Sequence, residues 1–200
     1  YLQAIRAVQP HGPYFLAGHS FGALVAYEMA QLLQQQGERI AFLGLLDFPN
    51  ASGKTIHWDT TQWLANIARR IELLSGKELG IRQELIQPLT PEAQLYYFKK
   101  QLERANLLSP HSPIERVQGI IQTMKNDELA SLNYHPPEGY QGPITLFRTS
   151  DVYYDALAIV DDIPKDSTWG WDNVGFLSVE VHVVPGNHSS MLQQPHVHVL

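Results

Sequence analysis

The residues Gly18-His19-Ser20-Phe21-Gly22 fit the pattern G-x-S-x-G, in which a serine can serve as a nucleophile. Such a serine stands on a sharp, strained turn between a strand end and a helix start, so that its hydroxyl is lifted clear of the sheet. The two glycines are expected to avoid collisions with neighbouring chain. The helix N-terminus favours negative charge, which makes the backbone N–H of Phe21 a candidate oxyanion donor. The alternative for the pentapeptide alone is a tight turn with an inert serine.

The segments around the pentapeptide supply the context that the motif requires. Tyr14 to Gly18 reads as a short buried strand, and apolar residues recur at helical spacing from Phe21 to Gln36, with Gly37 as a stop. Ile40 to Leu46 reads as a second buried strand. Strand, helix and strand with short connections predict a parallel βαβ unit, which favours Ser20 as a nucleophile.

A serine hydroxyl is nearly inert at neutral pH and needs a general base. His188 is the candidate, because it follows a predicted strand, Val179 to Val184, and the turn residues Pro185, Gly186 and Asn187. Enzymes with a G-x-S-x-G serine carry their catalytic groups in the order serine, aspartate or glutamate, and histidine along the chain.

The other histidines have more ordinary interpretations. His182 lies inside the predicted strand and is expected to pack there, and His19 is expected to be structural. His196 and His198 have the spacing of a metal pair but no third ligand. No supporting pattern surrounds the loop histidines, which are His11, His57, His111 and His135.

Two aspartates could orient the base. Asp47 ends the strand after the nucleophile helix, and Asp151 follows the next strand, Ile144 to Phe147. A carboxylate at either strand end could hold the neutral histidine tautomer and stabilise the imidazolium. The residues alone leave Asp47 and Asp151 about equal, and a turn cap or helix cap is the alternative for each.

In the segment from about residue 52 to residue 140 the apolar residues recur at helical spacing, which predicts a helical insertion between strands. Apolar residues between Trp63 and Leu74 indicate one amphipathic helix, Ala93 to Leu107 a second and Ile114 to Leu132 a third. The final stretch, Ser189 to Leu200, is expected to begin another helix.

Composition limits the partners and cofactors. The chain has 14 basic and 20 acidic residues, a formal charge of −6, which disfavours broad binding to nucleic acid or anionic membrane. It has no cysteine, no apolar run approaching ~20 residues and no signal-peptide pattern at its start. We expect no membrane span and a cytoplasmic location. Because no phosphate-binding loop, dinucleotide fingerprint or metal motif occurs, we predict no bound cofactor and no metal.

The motifs together resemble those of the thioesterase domains that end nonribosomal peptide and polyketide synthases. The segments that carry the resemblance are Gly12-Pro13-Tyr14, Ala17 to Ala23, Ala26 to Ala30, Leu45-Leu46-Asp47, and Pro185 to Leu192 with Pro195 beyond. The resemblance implies an α/β-hydrolase fold with a parallel sheet, one domain over residues 1–200 and a helical lid at about 52–140. It selects Asp47 over Asp151 as the acid.

The resemblance also implies a reaction. A carrier protein would deliver an acyl or peptidyl thioester on its phosphopantetheine arm, Ser20 would form an acyl–enzyme, and water or an internal nucleophile would release a free acid or a ring. Members of the family carry further strands and a second oxyanion donor before the position of Tyr1, so we expect the chain to be a partial domain. A basic cluster on the insertion could contact an acidic carrier domain, although an ordinary solvated surface is the simpler interpretation; its members are Arg69, Arg70, Lys99, Lys100 and Arg104.

Three other functions remain open at this point. A stand-alone editing thioesterase and a general carboxylesterase or lipase would use the same residues. A catalytically inactive hydrolase fold acting as a binding module would not need them, and the presence of Ser20, Asp47 and His188 disfavours it.

Overall fold

The architecture comes from a computed structural model, which describes residues 1–50, 58–134, 139–151, 167–174 and 178–200. The strands are β1 (Tyr14–His19), β2 (Ile40–Leu46), β3 (Ile144–Thr149) and β4 (Val179–Val184). The α-helices are α1 (Leu2–Val8), α2 (Phe21–Gln35), α3 (Thr60–Ser75), α4 (Gln83–Ile86), α5 (Pro91–Arg104) and α6 (Ile114–Leu132). Two short 3-10 helices cover Trp171–Asn173 and His196–Val199.

The four strands form one sheet, ordered β1-β2-β3-β4, in which every pair is parallel. Gly18 pairs with Leu45, and Leu46 pairs with Phe147. Thr149 pairs with Val184. Because parallel strands end at one edge of a sheet, the residues that follow each of the four strands are brought together. The α/β class with a parallel sheet, predicted from the apolar runs, is confirmed.

Helix α2 covers β1 and β2 with an apolar stripe. Ala23, Tyr27 and Ala30 are fully buried at spacings of four and three residues, which place them on one helical face. Burying each large side chain of this stripe contributes about 1.5–3 kcal/mol to folding. The Tyr27 ring contacts Tyr140 and Trp171, and its centroid lies 6.2 Å from that of Tyr140 and 5.1 Å from that of Trp171, so these contacts anchor the middle of α2.

The helices α3–α6 form a compact unit of their own, separate from the unit that contains the sheet. Asp59 begins α3 with a reciprocal capping box to Gln62, and Thr90 caps α5. The three longer helices agree with the predicted insertion. The fourth, α4, has only four residues and is too short to be recognised by periodicity. The core of this unit consists of Leu64, Ile67, Ala68, Leu79, Ile81, Ile86, Phe98, Leu102, Leu108 and Val117.

One expectation for the secondary structure is wrong. The stretch from Ser189 does not start a regular helix: it continues through turns and ends in the 3-10 helix His196–Val199, because Pro195 interrupts the helical hydrogen bonds. Three of the five residues in the basic cluster on the insertion form ion pairs with carboxylates, and contact of this cluster with a carrier domain stays a prediction. Arg70 pairs with Glu128, and Glu103 accepts from both Lys99 and Lys100.

Among the described residues, none of the helices combines the length and the apolar character that crossing a bilayer requires.

Candidate active site

Ser20 occupies the tight turn between β1 and α2. Its backbone angles are φ 58° and ψ −134°, a conformation that non-glycine residues rarely adopt and that agrees with the strained turn predicted from the motif. Its N–H donates to the carbonyl of Leu46 at 2.9 Å, which ties the turn to the end of the neighbouring strand. The Ser20 hydroxyl makes no capping hydrogen bond to α2, so helix capping does not occupy it.

The two glycines of the motif have different reasons for being small. A Cβ on Gly18 would lie 1.9 Å from the carbonyl oxygen of Gly22, so only glycine fits there. A Cβ on Gly22 would meet no heavy atom within 4 Å, and the expectation that both positions avoid a collision is therefore wrong for Gly22. The close approach of strand end and helix start depends on Gly18.

Phe21 is the first residue of α2, so its backbone N–H has no acceptor within the helix. The neighbouring amide of Ala23 already donates to the Ser20 carbonyl at 2.8 Å. The positive end of the α2 dipole is at the same position. These features suit the Phe21 N–H for donation to a developing oxyanion, and its role stays a prediction.

Asp47 follows β2 with a φ of 50°, and its N–H donates to the Phe147 carbonyl at 2.7 Å. Its carboxylate is buried, with a residue exposure of 7%, and both oxygens are hydrogen-bonded. Oδ1 accepts from the N–H and the hydroxyl of Thr149, each at 2.8 Å. Oδ2 lies 2.7 Å from Nδ1 of His188.

Burial by itself would raise the pKa of Asp47, because it removes water from the carboxylate. The hydrogen bonds from His188 and from Thr149 act in the opposite direction and hold the pKa of Asp47 below its ordinary value. The carboxylate is therefore ionised at neutral pH, which is the state that orients a histidine through Nδ1–H.

His188 lies on a turn after β4 that the surrounding residues fix. Gly186 has a φ of 90°, which favours glycine. The Asn187 side chain accepts from the N–H groups of Ser189 and Ser190, each at 3.0 Å, and the Ser190 hydroxyl accepts from the Asn187 N–H at 2.9 Å. These reciprocal hydrogen bonds hold the turn that carries His188 in one conformation.

His19, directly before Ser20, also contacts the His188 turn. Its Nε2 lies 3.0 Å from the backbone oxygen of His188, and the two imidazole centroids are 4.4 Å apart with an interplanar angle of 30°. Burial lowers the pKa of His19, and the neighbouring His188 lowers it further. His19 is therefore neutral at neutral pH.

In the described part of the structure Asp47 and His188 are in direct contact, whereas neither the Ser20 hydroxyl nor Asp151 is hydrogen-bonded to His188. Within the described residues, no hydrogen bond joins the Ser20 hydroxyl to His188; such catalytic contacts often tighten only when substrate binds. Asp151 is exposed and accepts from the Ser150 hydroxyl at 3.0 Å, with no hydrogen bond to His188. The geometry thus favours Asp47 as the residue that orients His188.

The remaining histidines lie apart from this contact. His182 stacks on Phe147 at 5.3 Å and lies 3.0 Å from Glu180, with its side chain about half exposed. His196 and His198 are in the terminal 3-10 helix. The described residues contain no group of three His, Asp or Glu side chains placed to hold a metal ion. His57 and His135 lie outside the described residues.

Sequence reasoning missed the roles of Thr149 and Asn187 and the contact made by His19. Thr149 lies 102 residues from Asp47, and His19 lies 169 residues from His188, so no local pattern could have linked them. Asn187 could have been recognised, because an asparagine before serines often accepts from nearby backbone amides.

Comparison with known proteins identifies the class. The whole chain, residues 1–200, matches the family model described as a thioesterase domain. The chain therefore belongs to the thioesterase-domain family, and its enzyme class is that of a hydrolase acting on thioester bonds.

The similar proteins are synthetases. The nonribosomal peptide synthetase btyA of Aspergillus terreus is 31% identical over 99% of this chain and 21% of its own length. The microperfuranone synthase of Emericella nidulans is 28% identical over 98% of this chain and 21% of its own. The chain thus spans about a fifth of the length of these curated relatives.

Solved structures agree with the fold. The crystal structure of holo-AB3403, a four-domain nonribosomal peptide synthetase bound to AMP and glycine, superimposes with a TM-score of 0.84 and 25% identity, covering 98% of this chain and 14% of that one. The NocB thioesterase domain, in covalent complex with a fluorophosphonate nocardicin G analogue, gives a TM-score of 0.63 at 22% identity, covering 100% of this chain and 67% of that one. The second likeness shows the fold alone.

Proposed function

We propose that this chain releases an acyl or peptidyl chain from the phosphopantetheine thioester of a carrier protein, through an acyl–enzyme on Ser20. The observation that carries the proposal is the 2.7 Å contact between Asp47 Oδ2 and His188 Nδ1, at the sheet edge where the Ser20 turn is also tied down. A buried, ionised carboxylate on Nδ1 leaves Nε2 of His188 as the basic nitrogen. That nitrogen is the one a serine nucleophile requires.

In the first half of the reaction, the Ser20 oxygen attacks the thioester carbonyl carbon while His188 Nε2 takes the hydroxyl proton. The carbon–oxygen π electrons move to the carbonyl oxygen, and the resulting oxyanion accepts from the Phe21 N–H. When the tetrahedral intermediate collapses, the carbon–sulfur bond breaks and the thiol leaves with the proton from His188. The products are an ester on Ser20 and the free carrier thiol.

In the second half, His188 takes a proton from the group that attacks the ester. Water gives a free acid, and a hydroxyl or amine of the bound chain gives a ring. The carbon–oxygen bond to Ser20 breaks, and His188 returns the proton to the serine oxygen. The similarity to the nonribosomal peptide synthetase btyA and to a four-domain nonribosomal peptide synthetase of known structure supports a carrier-bound peptidyl or acyl substrate, delivered within a multidomain protein.

The electrostatic arrangement supports this cycle. His188 must become an imidazolium twice, and an ionised Asp47 stabilises that cation at hydrogen-bond distance. The hydrogen bonds from His188 and Thr149 keep the carboxylate ionised in spite of its burial. A neutral carboxyl group would lose most of this stabilisation.

The test is covalent labelling of the intact protein with a fluorophosphonate, followed by mass spectrometry of the labelled peptide. We expect one adduct on Ser20, none in Ser20→Ala, and a labelling rate reduced by about 10³-fold or more in His188→Ala. Ser189→Ala is a matched control, because Ser189 follows His188 directly in the chain and has no role in the proposed reaction. Labelling that persists in Ser20→Ala would remove the nucleophile assignment.

The kind of release is tested with a carrier-loaded thioester. We expect wild-type protein to free the carrier thiol and Ser20→Ala to leave the thioester intact. The mass of the released product separates hydrolysis, which adds water, from cyclisation, which does not. An oxygen ester cleaved faster than the matched thioester would instead indicate a general carboxylesterase.

A further inference from the structure

We propose that His19 is a positioning residue for His188: its ring holds the main chain at the base and presents a neutral surface to the imidazole that takes up the proton. This inference rests on the proposed roles of Ser20 and His188. Because His19 immediately precedes Ser20 in the chain, its side chain is the direct link between the nucleophile turn and the turn that carries the base.

The hydrogen bond fixes the protonation pattern of His19. A backbone carbonyl only accepts, so His19 Nε2 carries the proton and donates it to the oxygen of His188 at 3.0 Å. In the neutral ring, Nδ1 is then unprotonated. The hydrogen bond fixes the His188 backbone position, from which its side chain reaches Asp47 at 2.7 Å.

The ring contact adds an electrostatic role. The imidazoles of His19 and His188 are 4.4 Å apart and inclined by 30°. During the proposed reaction His188 becomes a cation, and a cationic His19 at that distance would oppose it. The charged or titratable groups that act on His19 are His188 and Asp47. Burial and the neighbouring His188 ring lower the pKa of His19, whereas the hydrogen bond to the His188 backbone and the charge of Asp47 raise it, and the net direction is downward.

Two substitutions separate the hydrogen bond from the ring. His19→Phe keeps an aromatic ring but loses the donor, whereas His19→Gln keeps a side-chain N–H donor and loses the ring. His182→Phe is the matched control, because His182 lies on β4, stacks on Phe147 and has no part in the proposed reaction. All three are assayed in the intact protein by the second-order rate of fluorophosphonate labelling, with the melting temperature measured alongside.

We expect His19→Phe to lower the labelling rate by about 10-fold to 100-fold, the size of effect that a misplaced catalytic group produces. His19→Gln should stay within about 3-fold of wild type at pH 8, and His182→Phe should be unchanged. A folded His19→Phe that labels at the wild-type rate would overturn the proposal. So would a His19→Gln that is as slow as His19→Phe.

A second measurement does not depend on the phenylalanine variant folding. The logarithm of the wild-type labelling rate should rise with pH with a slope of one through the acid limb, which corresponds to the loss of a single proton, and His19→Gln should keep that slope. A slope of two that falls to one in His19→Gln would contradict a neutral His19. If wild-type protein is not labelled at Ser20 at all, the proposed function fails, and that result is distinct from either outcome for His19.

Discussion

Thr149 gives two hydrogen bonds to a single oxygen of Asp47, one from its backbone N–H and one from its hydroxyl, both 2.8 Å long. Thr149 is the last residue of β3 and is buried, so both donors are held by the sheet. The other oxygen of Asp47 is thereby left to His188. One carboxylate oxygen is therefore bound by Thr149, and the other contacts the candidate base, His188.

Thr149→Val tests that support, since valine has nearly the same shape and lacks the hydroxyl. We expect the free energy of unfolding to fall by about 1 kcal/mol, the usual net value of one hydrogen bond, and fluorophosphonate labelling to slow several-fold. Thr149→Ser restores the hydroxyl and is the control. Equal rates in wild type and Thr149→Val would show that the backbone donor alone suffices.

Asp47→Asn should reduce the labelling rate by about 10³-fold to 10⁴-fold, because an amide facing Nδ1 favours the wrong histidine tautomer. Asp151→Asn should stay close to wild type, since Asp151 is exposed and bonded to Ser150 rather than to His188. The two rates are compared at the same pH. The reverse order of effects would transfer the acid role to Asp151.

Gly18→Ala and Gly22→Ala form a matched pair within the pentapeptide. The methyl group on residue 18 would meet the Gly22 carbonyl at 1.9 Å, so we expect a loss of about 3 kcal/mol or failure to fold. The methyl group on residue 22 meets open space at the start of α2, so stability should be unchanged or higher by up to about 1 kcal/mol. Urea unfolding measures both. A Gly18→Ala protein as stable as wild type would contradict the close approach described here.

The depressed pKa of Asp47 predicts how stability depends on pH. Unfolded chains bind the proton at higher pH than the folded protein does, so stability from this group is complete above the ordinary aspartate pKa. It is lost as the pH falls from there through the lower folded pKa. Urea unfolding from pH 7 to pH 3 should therefore show the stability advantage of wild type over Asp47→Asn shrinking at acid pH. If the stability advantage of wild type over Asp47→Asn grew as the pH fell, the pKa of Asp47 would be raised in the folded protein rather than lowered.

Apolar runs bounded by turn residues were enough to predict the strands and long helices. β2, α6 and β4 begin and end at the predicted residues, because Gly37, Pro113 and Pro185 punctuate the chain close to them. Periodicity could not reveal the four-residue α4. It also gave the wrong result after Ser189, where turns take the place of a regular helix.

For the candidate site, residue type and order along the chain were sufficient to single out Ser20, Asp47 and His188, and their catalytic roles stay predictions. The residues alone did not distinguish Asp47 from Asp151, because both follow strands that end at the same edge. In the structure, the contact of Asp47 with His188, the hydrogen bonds from Thr149 and the burial of Asp47 separate the two aspartates. Supporting contacts of this kind join distant parts of the chain and leave no mark in the local sequence.

The four described strands have the same order in the sheet as in the sequence, and the helices α3–α6 all lie between β2 and β3 in the chain. The register of Leu46 with Phe147 fixes those two strands side by side, whatever chain connects them. The two hydrogen bonds from Thr149 to Asp47 are made at the ends of these paired strands. The helical insertion thus lies in the chain between two strands that hydrogen-bond directly to each other, and the support of the candidate acid comes from the strands that flank the insertion.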